Sequence, residues 1–193
     1  MHHYAELRKY LNIPNDKSVE IPDSTQLKLI HGYYACIPFV DDQIGRLVSK
    51  LKELDLYNDA IIVFVGDHGW QLGEHNLWAK HCNFQTSLKV PLLIKYPNQT
   101  ETKKIKSVVE LVDIFPTLCD ISNLDYPKHL QGKSLTSINK KDNSNTIGFS
   151  TYKKGTTITT SNYSYTRWQN DNNELLGQML FDLKRDKDEN ISI

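Results

Sequence analysis

The stretch Ala60-Ile-Ile-Val-Phe-Val65-Gly66-Asp67-His68-Gly69 decides how this chain folds. A short, continuous apolar run rich in β-branched residues predicts a buried, parallel strand. It stops abruptly at two glycines that flank a carboxylate and an imidazole, and glycine lets the backbone turn sharply there. The C-terminal edge of such strands is where open α/β sheets bind their ligands.

Upstream of the strand, Leu27, Ile30, Tyr34, Ile37, Ile44, Leu47, Val48, Leu51 and Leu54 recur at spacings near three and four. This spacing predicts a long amphipathic helix from Ser24. Pro38 falls inside it and predicts a kink or local break, because proline removes a donor and costs about 3 kcal/mol in a regular helix. Residues 1–23 read as a short helix and an irregular lead-in. Downstream, a polar loop containing Gly73, Glu74, His75, Trp78, Lys80 and His81 leads to Val90-Pro-Leu-Leu-Ile-Lys-Tyr-Pro97, a second buried strand bounded by prolines. Ser107 to Leu111 reads as a third short extended segment. Asp113-Ile-Phe-Pro-Thr-Leu-Cys119 opens a helix with an acidic first turn and an early proline. Alternating strands and helices indicate an α/β sheet over residues 24–145. After Gly132-Lys-Ser-Leu135 the composition turns to Ser, Asn, Lys and Thr up to about Asn145, a boundary loop. The β-formers of Thr156 to Trp168 and Gln178 to Asp182 make residues 146–193 a small antiparallel subdomain.

Composition narrows the function. With 23 Lys+Arg against 23 Asp+Glu, the 193-residue chain has no net charge, so it lacks the electrostatic footprint of a nucleic-acid or membrane-surface binder. Its longest apolar run is far short of the roughly 20 residues that span a bilayer. The N-terminal residues show no apolar core or cleavage site of a secretory signal, and the compartment stays open. Cys36, Cys82 and Cys119 are too scattered for a disulfide framework or a cysteine-based zinc site, and read as buried or free thiols.

Asp67 and His68 offer a hard anionic oxygen and a neutral nitrogen from one tight turn, a donor pair suited to a metal whose other ligands come from elsewhere. The competing reading is a capping aspartate beside a surface histidine. Lys80, next to Trp78 in the loop facing the same edge, could present a fixed positive charge to an anionic substrate oxygen. Glu74, His75 and His81 read as surface residues. Cys36 reads as a packed thiol, since no base or cationic cluster is near it in sequence. Asp41 and Asp42 lie about 100° apart around a helix and read as a solvated face rather than paired acids.

The motifs together resemble the sulfatases, in particular the iduronate-2-sulfatase-like and choline-sulfatase-like branch. The matching pieces are His31-Gly-Tyr-Tyr-Ala-Cys36, Val40-Asp-Asp-Gln-Ile-Gly-Arg46, Gly66-Asp-His-Gly-Trp70, Leu72-Gly-Glu-His75, Trp78-Ala-Lys80, Val90-Pro-Leu-Leu93, Val112-Asp-Ile-Phe-Pro-Thr-Leu118 and Gly132-Lys-Ser-Leu135. Tyr163 to Trp168 and Leu180 to Asp186 resemble the family's small C-terminal subdomain. The resemblance implies an alkaline-phosphatase-like α/β fold, here its C-terminal part, with the sheet flanked by helices. It also implies hydrolysis of sulfate monoesters by a formylglycine held beside a calcium ion. By this resemblance Asp67 and His68 match calcium ligands, and Lys80 matches the lysine that binds the substrate sulfate.

The sequence departs from the pattern where the chemistry begins. The Cys/Ser-x-Pro/Ala-Ser-Arg motif that yields formylglycine is absent, and Cys36-Ile-Pro-Phe-Val40 lacks its serine and arginine. The acidic pair and the leaving-group histidine of the family's N-terminal half are likewise not found. No catalytic residue is therefore assigned in this chain. The reading is a sulfatase fragment with part of the calcium and sulfate site, inactive alone, whose partners would be a sulfated small molecule or glycan and a complementing N-terminal half. Two alternatives stand beside it: a metal-dependent phosphoesterase of the same superfamily, and a non-catalytic remnant or binding module.

Overall fold

The computed structural model describes residues 5–13, 19–140 and 146–193. Parts of the expected lead-in and of the boundary loop before residue 146 lie outside the described residues. The chain forms two compact units, Met1–Cys82 with Thr86–Thr100, and Asn83–Gln85 with Glu101–Ile193.

In the first unit, a short helix α1 (Ala5–Tyr10) precedes the 31-residue α2 (Asp23–Glu53). The buried Arg8 donates to the Val19 carbonyl at 2.6 Å, fastening α1 to the approach to α2. Asp23 in the first turn of α2 and Lys50 and Lys52 in its last turn complement the helix dipole. The break expected at Pro38 does not occur, and α2 runs through it. Both Pro38 and Tyr34, whose carbonyl loses its usual donor, are exposed, so solvent can take the missing bond. No residue of α2 is buried, which also corrects the expectation for Cys36: its thiol is exposed. The helix packs chiefly against one short strand and leaves the face carrying Cys36 open.

Strand β1 (Ile62–Val65) is followed by β2 (Gln71–Leu72), β3 (Trp78–Ala79), α3 (Gln85–Leu88) and β4 (Leu92–Lys95). The pairing of β1 overturns the expected parallel arrangement. It runs antiparallel to β4, with Ile62 opposite Lys95 and Val65 opposite Leu92. The intervening chain doubles back through the β2–β3 hairpin instead of crossing over by the dozen or more residues of helix that a parallel pair needs. Nor are the two strands buried: a two-stranded ribbon covers neither of its faces, leaving Phe64 40% and Leu93 59% exposed. Lys95 closes one end of the ribbon by donating to the Asn58 and Ala60 carbonyls, 3.1 Å each, with its ammonium over the Tyr57 ring.

In the second unit, the extended strand expected at Ser107 to Leu111 does not form. Instead Glu110 and Asp113 make a reciprocal capping box around a 3₁₀ turn, Leu111–Asp113, that leads into α4 (Ile114–Ile121). The Glu110 side chain also accepts from the Phe149 amide at 2.7 Å. The expected antiparallel subdomain is present as four strands, β5 (Gly148–Tyr152), β6 (Gly155–Thr159), β7 (Tyr163–Gln169) and β8 (Leu175–Asp182), in the order β5-β6-β7-β8. Its buried centre is polar. Thr157 and Thr166 share a 2.8 Å hydroxyl hydrogen bond, and Asn83 donates to Thr157 at 3.1 Å. Phe84 against Phe181 supplies an apolar anchor beside them. Among the described residues no helix is long and apolar enough to cross a membrane.

Two outcomes are expected. Pro38→Ala should raise the unfolding midpoint and the helical circular dichroism, by up to about 3 kcal/mol of stability, because it restores a helix donor at an exposed position; an unchanged or lowered midpoint would refute this. Burial raises the Tyr96 phenol above its ordinary 10.0. The unfolded chain therefore loses this proton first, and stability should fall as pH climbs past 10. Denaturant titrations across that range, compared with Tyr96→Phe, check the sign.

Candidate anion and cation site

The site is built where β1 ends. The Gly66 amide donates to the Pro91 carbonyl at 3.1 Å, so the residue leaving β1 stays tied to the segment entering β4. A side chain at Gly66 would crowd Pro91 and Val90 at 3.2 and 3.3 Å. Gly69 is more tightly constrained. Its amide donates to the Ser87 carbonyl at 2.8 Å, and a Cβ there would fall onto the Thr86 carbonyl oxygen, so only glycine fits. Between these two anchored glycines the chain has little choice of path, and Asp67 and His68 are held out together.

Asp67 is largely exposed, and its Oδ1 accepts the His68 amide at 3.0 Å. The His68 ring lies 2.9 Å through Nδ1 from the Gly69 carbonyl oxygen. A carbonyl can only accept, so Nδ1 carries the hydrogen and Nε2 presents its lone pair outward. Lys80 Nζ lies 2.7 Å from that nitrogen and donates to it. Asp67 Oδ2 lies 3.3 Å from the same atom, which in this tautomer has no hydrogen to give, so the carboxylate is a neighbour of that nitrogen and not its hydrogen-bond partner. The three residues singled out in the sequence thus meet around one nitrogen.

Lys80 reaches this place through a strained hairpin. Gly73, His75, Asn76 and Ala79 all have positive φ. Glycine and asparagine take that conformation readily, but Ala79 at φ 66° pays roughly 1–2 kcal/mol for it. The buried Trp78 pins β3 against β2 and turns the strain into a fixed direction for the next residue, Lys80. Glu74 acts locally, its carboxylate accepting the Leu72 amide at 2.5 Å. His81 is exposed and His75 half-buried.

Two neighbours of the site were not legible in the sequence. Trp70 sits 6.2 Å from the His68 ring, and Tyr33 of α2 stacks on Trp70 at 6.4 Å. A second set lies behind the turn. Gln71, wholly buried, donates to Cys82 Sγ at 3.2 Å, and Cys82 lies 3.0 Å from the Ser87 hydroxyl. Because Ser87 also holds Gly69, and the Cys82 amide donates to the Lys80 carbonyl, this set links the His68 turn to the Lys80 turn. These contacts join residues far apart in sequence and leave no local periodicity to read.

As a metal site the donor set is partial. Among the described residues no group of three or more His, Cys, Asp or Glu side chains could hold a metal ion. Asp67 and His68 nevertheless present an exposed carboxylate and an outward nitrogen lone pair within 3.3 Å, and a cationic group already sits on that nitrogen. That is a fit for two donors of a larger cation shell.

The Sulfatase family model matches residues 4–124, and that of N-sulphoglucosamine sulphohydrolase, C-terminal, matches residues 73–193. This chain belongs to the sulfatase family. A sulfatase of Formosa agariphila is 34% identical over 150 residues, 76% of this chain and 30% of its own length. Human iduronate 2-sulfatase is 36% identical over 132 residues, 55% of this chain and 24% of its own length. This sulfatase chain therefore spans 30% and 24% of the length of those two relatives. A solved structure described as in complex with its substrate D-glucosamine-2-N,6-O-disulfate superposes at TM-score 0.74 with 24% identity, over 98% of this chain and 41% of that one. A phosphonate monoester hydrolase from Silicibacter pomeroyi superposes at TM-score 0.76 with 23% identity, over 86% of this chain and 37% of that one. At these identities the two structures establish the fold, which is that of the sulfatases and their alkaline-phosphatase-like relatives.

Gly69→Ala should destabilise the chain by about 2 kcal/mol or more, since backbone at both Gly69 and Thr86 must move. The His68 ring resonances should shift with it. Wild-type stability and unchanged ring signals would show that the turn does not depend on this close approach.

Proposed function

We propose that this chain carries the cation- and sulfate-binding part of a sulfuric ester hydrolase. The observation that carries the reading is the convergence of Asp67, His68 and Lys80 at the end of β1. In this reading Asp67 and His68 are two calcium ligands and Lys80 binds a substrate sulfate oxygen. Calcium, when bound, supplies positive charge to the sulfate oxygens. The protein's own contribution is positional. The Gly69 carbonyl fixes the His68 tautomer, the two anchored glycines hold the Asp67 carboxylate beside it, and the Ala79 conformation aims Lys80 at the same point. Sulfated small molecules or glycans are the substrate class, supported by the names of the relatives and the sulfated sugar of the similar structure.

The nucleophile motif does not occur in these 193 residues. We therefore place the formylglycine, and the acidic pair that would complete the cation shell, on a complementing N-terminal segment, and expect this chain alone to be inactive. The exposed apolar side chains of α2 and of the β1–β4 ribbon, among them Phe39, Leu47, Phe64 and Leu93, support such a complement.

Binding and turnover test the two halves of the reading. Inorganic sulfate in the presence of calcium should bind the purified chain and lose affinity about tenfold or more in Asp67→Ala and Lys80→Ala. Aryl sulfate should not be hydrolysed above the level of those variants. Turnover well above them would overturn the inactivity, and sulfate binding that ignores both substitutions would overturn the site. Metal stoichiometry by atomic spectroscopy separates this reading from the phosphoesterase alternative, which two tightly bound zinc ions per chain would favour.

A further inference from the structure

Of the three cysteines, Cys82 alone has polar side chains against its sulfur among the described residues. The Gln71 amide donates to Sγ at 3.2 Å, and the Ser87 hydroxyl lies 3.0 Å from it. Gln71 and Ser87 are buried, Gln71 completely, while Cys82 keeps part of its surface in solvent. The Gln71 amide carries more hydrogen-bonding capacity than the thiol uses. Its Oε1 is buried and has no partner among the described residues, and a buried polar atom left unmatched costs free energy. Turning the amide over would exchange that oxygen for the NH2 group and still leave one polar end unmatched beyond the sulfur. A thiol cannot answer this, because its single hydrogen has an outlet in the Ser87 hydroxyl. A hydroxyl carried on the sulfur can, since it both donates and accepts and so meets either end of the amide.

We infer that Cys82 is a site of reversible oxidation by hydrogen peroxide, whose sulfenic acid product is held by the Gln71 amide. The sulfur attacks one peroxide oxygen, an S–O bond forms as the O–O bond breaks, and the thiol proton leaves with the departing oxygen. Cys82–SH and H2O2 thus give Cys82–SOH and water, the sulfur losing the two electrons that the peroxide gains. In the product Sγ still accepts from Gln71 Nε2 and the new hydroxyl donates to Oε1, so the amide grips the S–OH unit through both of its ends. Held this way, the sulfur is withheld from a second peroxide, which would carry it on to the irreversible sulfinic acid. Cys36, exposed on α2, gives its sulfenic acid no such support. Oxidation at Cys82 also reaches the turn after β1. The Ser87 carbonyl holds the Gly69 amide at 2.8 Å, and the Cys82 amide donates to the Lys80 carbonyl at 3.0 Å, so an oxygen added at the sulfur presses on both connections. None of this requires the sulfate-binding reading of Asp67, His68 and Lys80.

The test treats the full chain with hydrogen peroxide, traps sulfenic acid at intervals with dimedone, and quantifies each cysteine-containing peptide by mass spectrometry. Cys82 should carry several-fold more label than Cys36, although Cys36 is the more exposed, and dithiothreitol added before the trap should return Cys82 to the thiol. Label at Cys36 equal to or above that at Cys82, or Cys82 recovered directly as sulfinic acid, would overturn the assignment. Gln71→Leu removes both ends of the amide at similar size, and should lose most of the trapped sulfenic acid at Cys82 and accumulate sulfinic acid there. Ser87→Ala, which leaves the backbone carbonyl on Gly69, should also lower the label and gives the reading if Gln71→Leu fails to fold. Unchanged label at Cys82 in either variant, with wild-type circular dichroism, would overturn the part given to that side chain. The His68 ring resonances should shift when the wild type is oxidised and stay in place in peroxide-treated Cys82→Ser; ring signals that ignore oxidation of Cys82 would overturn its coupling to the turn.

Discussion

The close approach of Gly69 to residues 86 and 87 is the constraint on which the site depends. The Gly69 amide reaches the Ser87 carbonyl at 2.8 Å only because no Cβ stands between the turn and the Thr86 carbonyl. This contact fixes where the chain can go after β1, and with it the Gly69 carbonyl that selects the His68 tautomer. The same Ser87 touches Cys82, whose amide holds the Lys80 carbonyl. One backbone contact is thereby shared by the anionic and the cationic side of the cluster, and both move if it is lost.

Strain and exposure are distributed in a way that fits a binding edge rather than a core. The left-handed Ala79 stands immediately before Lys80, and the buried Trp78 before it prevents the hairpin from relaxing. Backbone strain of this kind persists only where surrounding contacts over-determine the conformation. Asp67 and Lys80 themselves stay exposed, so their charges are not desolvated in this chain, and the electrostatic value of the cluster rises only when a ligand or a covering segment excludes water. The second unit stores its specificity differently. The paired hydroxyls of Thr157 and Thr166, with Asn83 bonded to them, fill the middle of its sheet with satisfied polar contacts that accept one register.

Much of the fold was legible because it depends on neighbouring residues. The three- and four-residue spacing gave α2 within one residue of its observed start, and the β-branched run before Gly66 gave β1. The β-formers alternating around a turn from Thr156 to Trp168, with those of Gln178 to Asp182, gave the antiparallel subdomain. What failed shares one physical cause. Parallel or antiparallel pairing of β1, the exposure of Cys36, and the loss of a strand at Ser107 to Leu111 all depend on which distant partner is present. For that last segment the Glu110–Asp113 capping box offered the backbone a better local partner than a ladder. Pro38 was misjudged for a related reason: its cost is real, but it falls where solvent can satisfy the freed carbonyl.

By itself the sequence determined the chemical inventory of the site. Asp67, His68 and Lys80 are the right residue types at the end of an apolar strand, and their motif order places the chain in the sulfatase family. Only the tertiary structure decided that they meet at a single nitrogen, and that the ammonium of Lys80 sits on the lone pair of His68. Residue type fixes charge and donor chemistry, whereas the Gly69 carbonyl that sets the His68 lone pair is held by a contact with Ser87, and the ammonium on that lone pair comes from Lys80, twelve residues on. A one-dimensional pattern does not encode those distances.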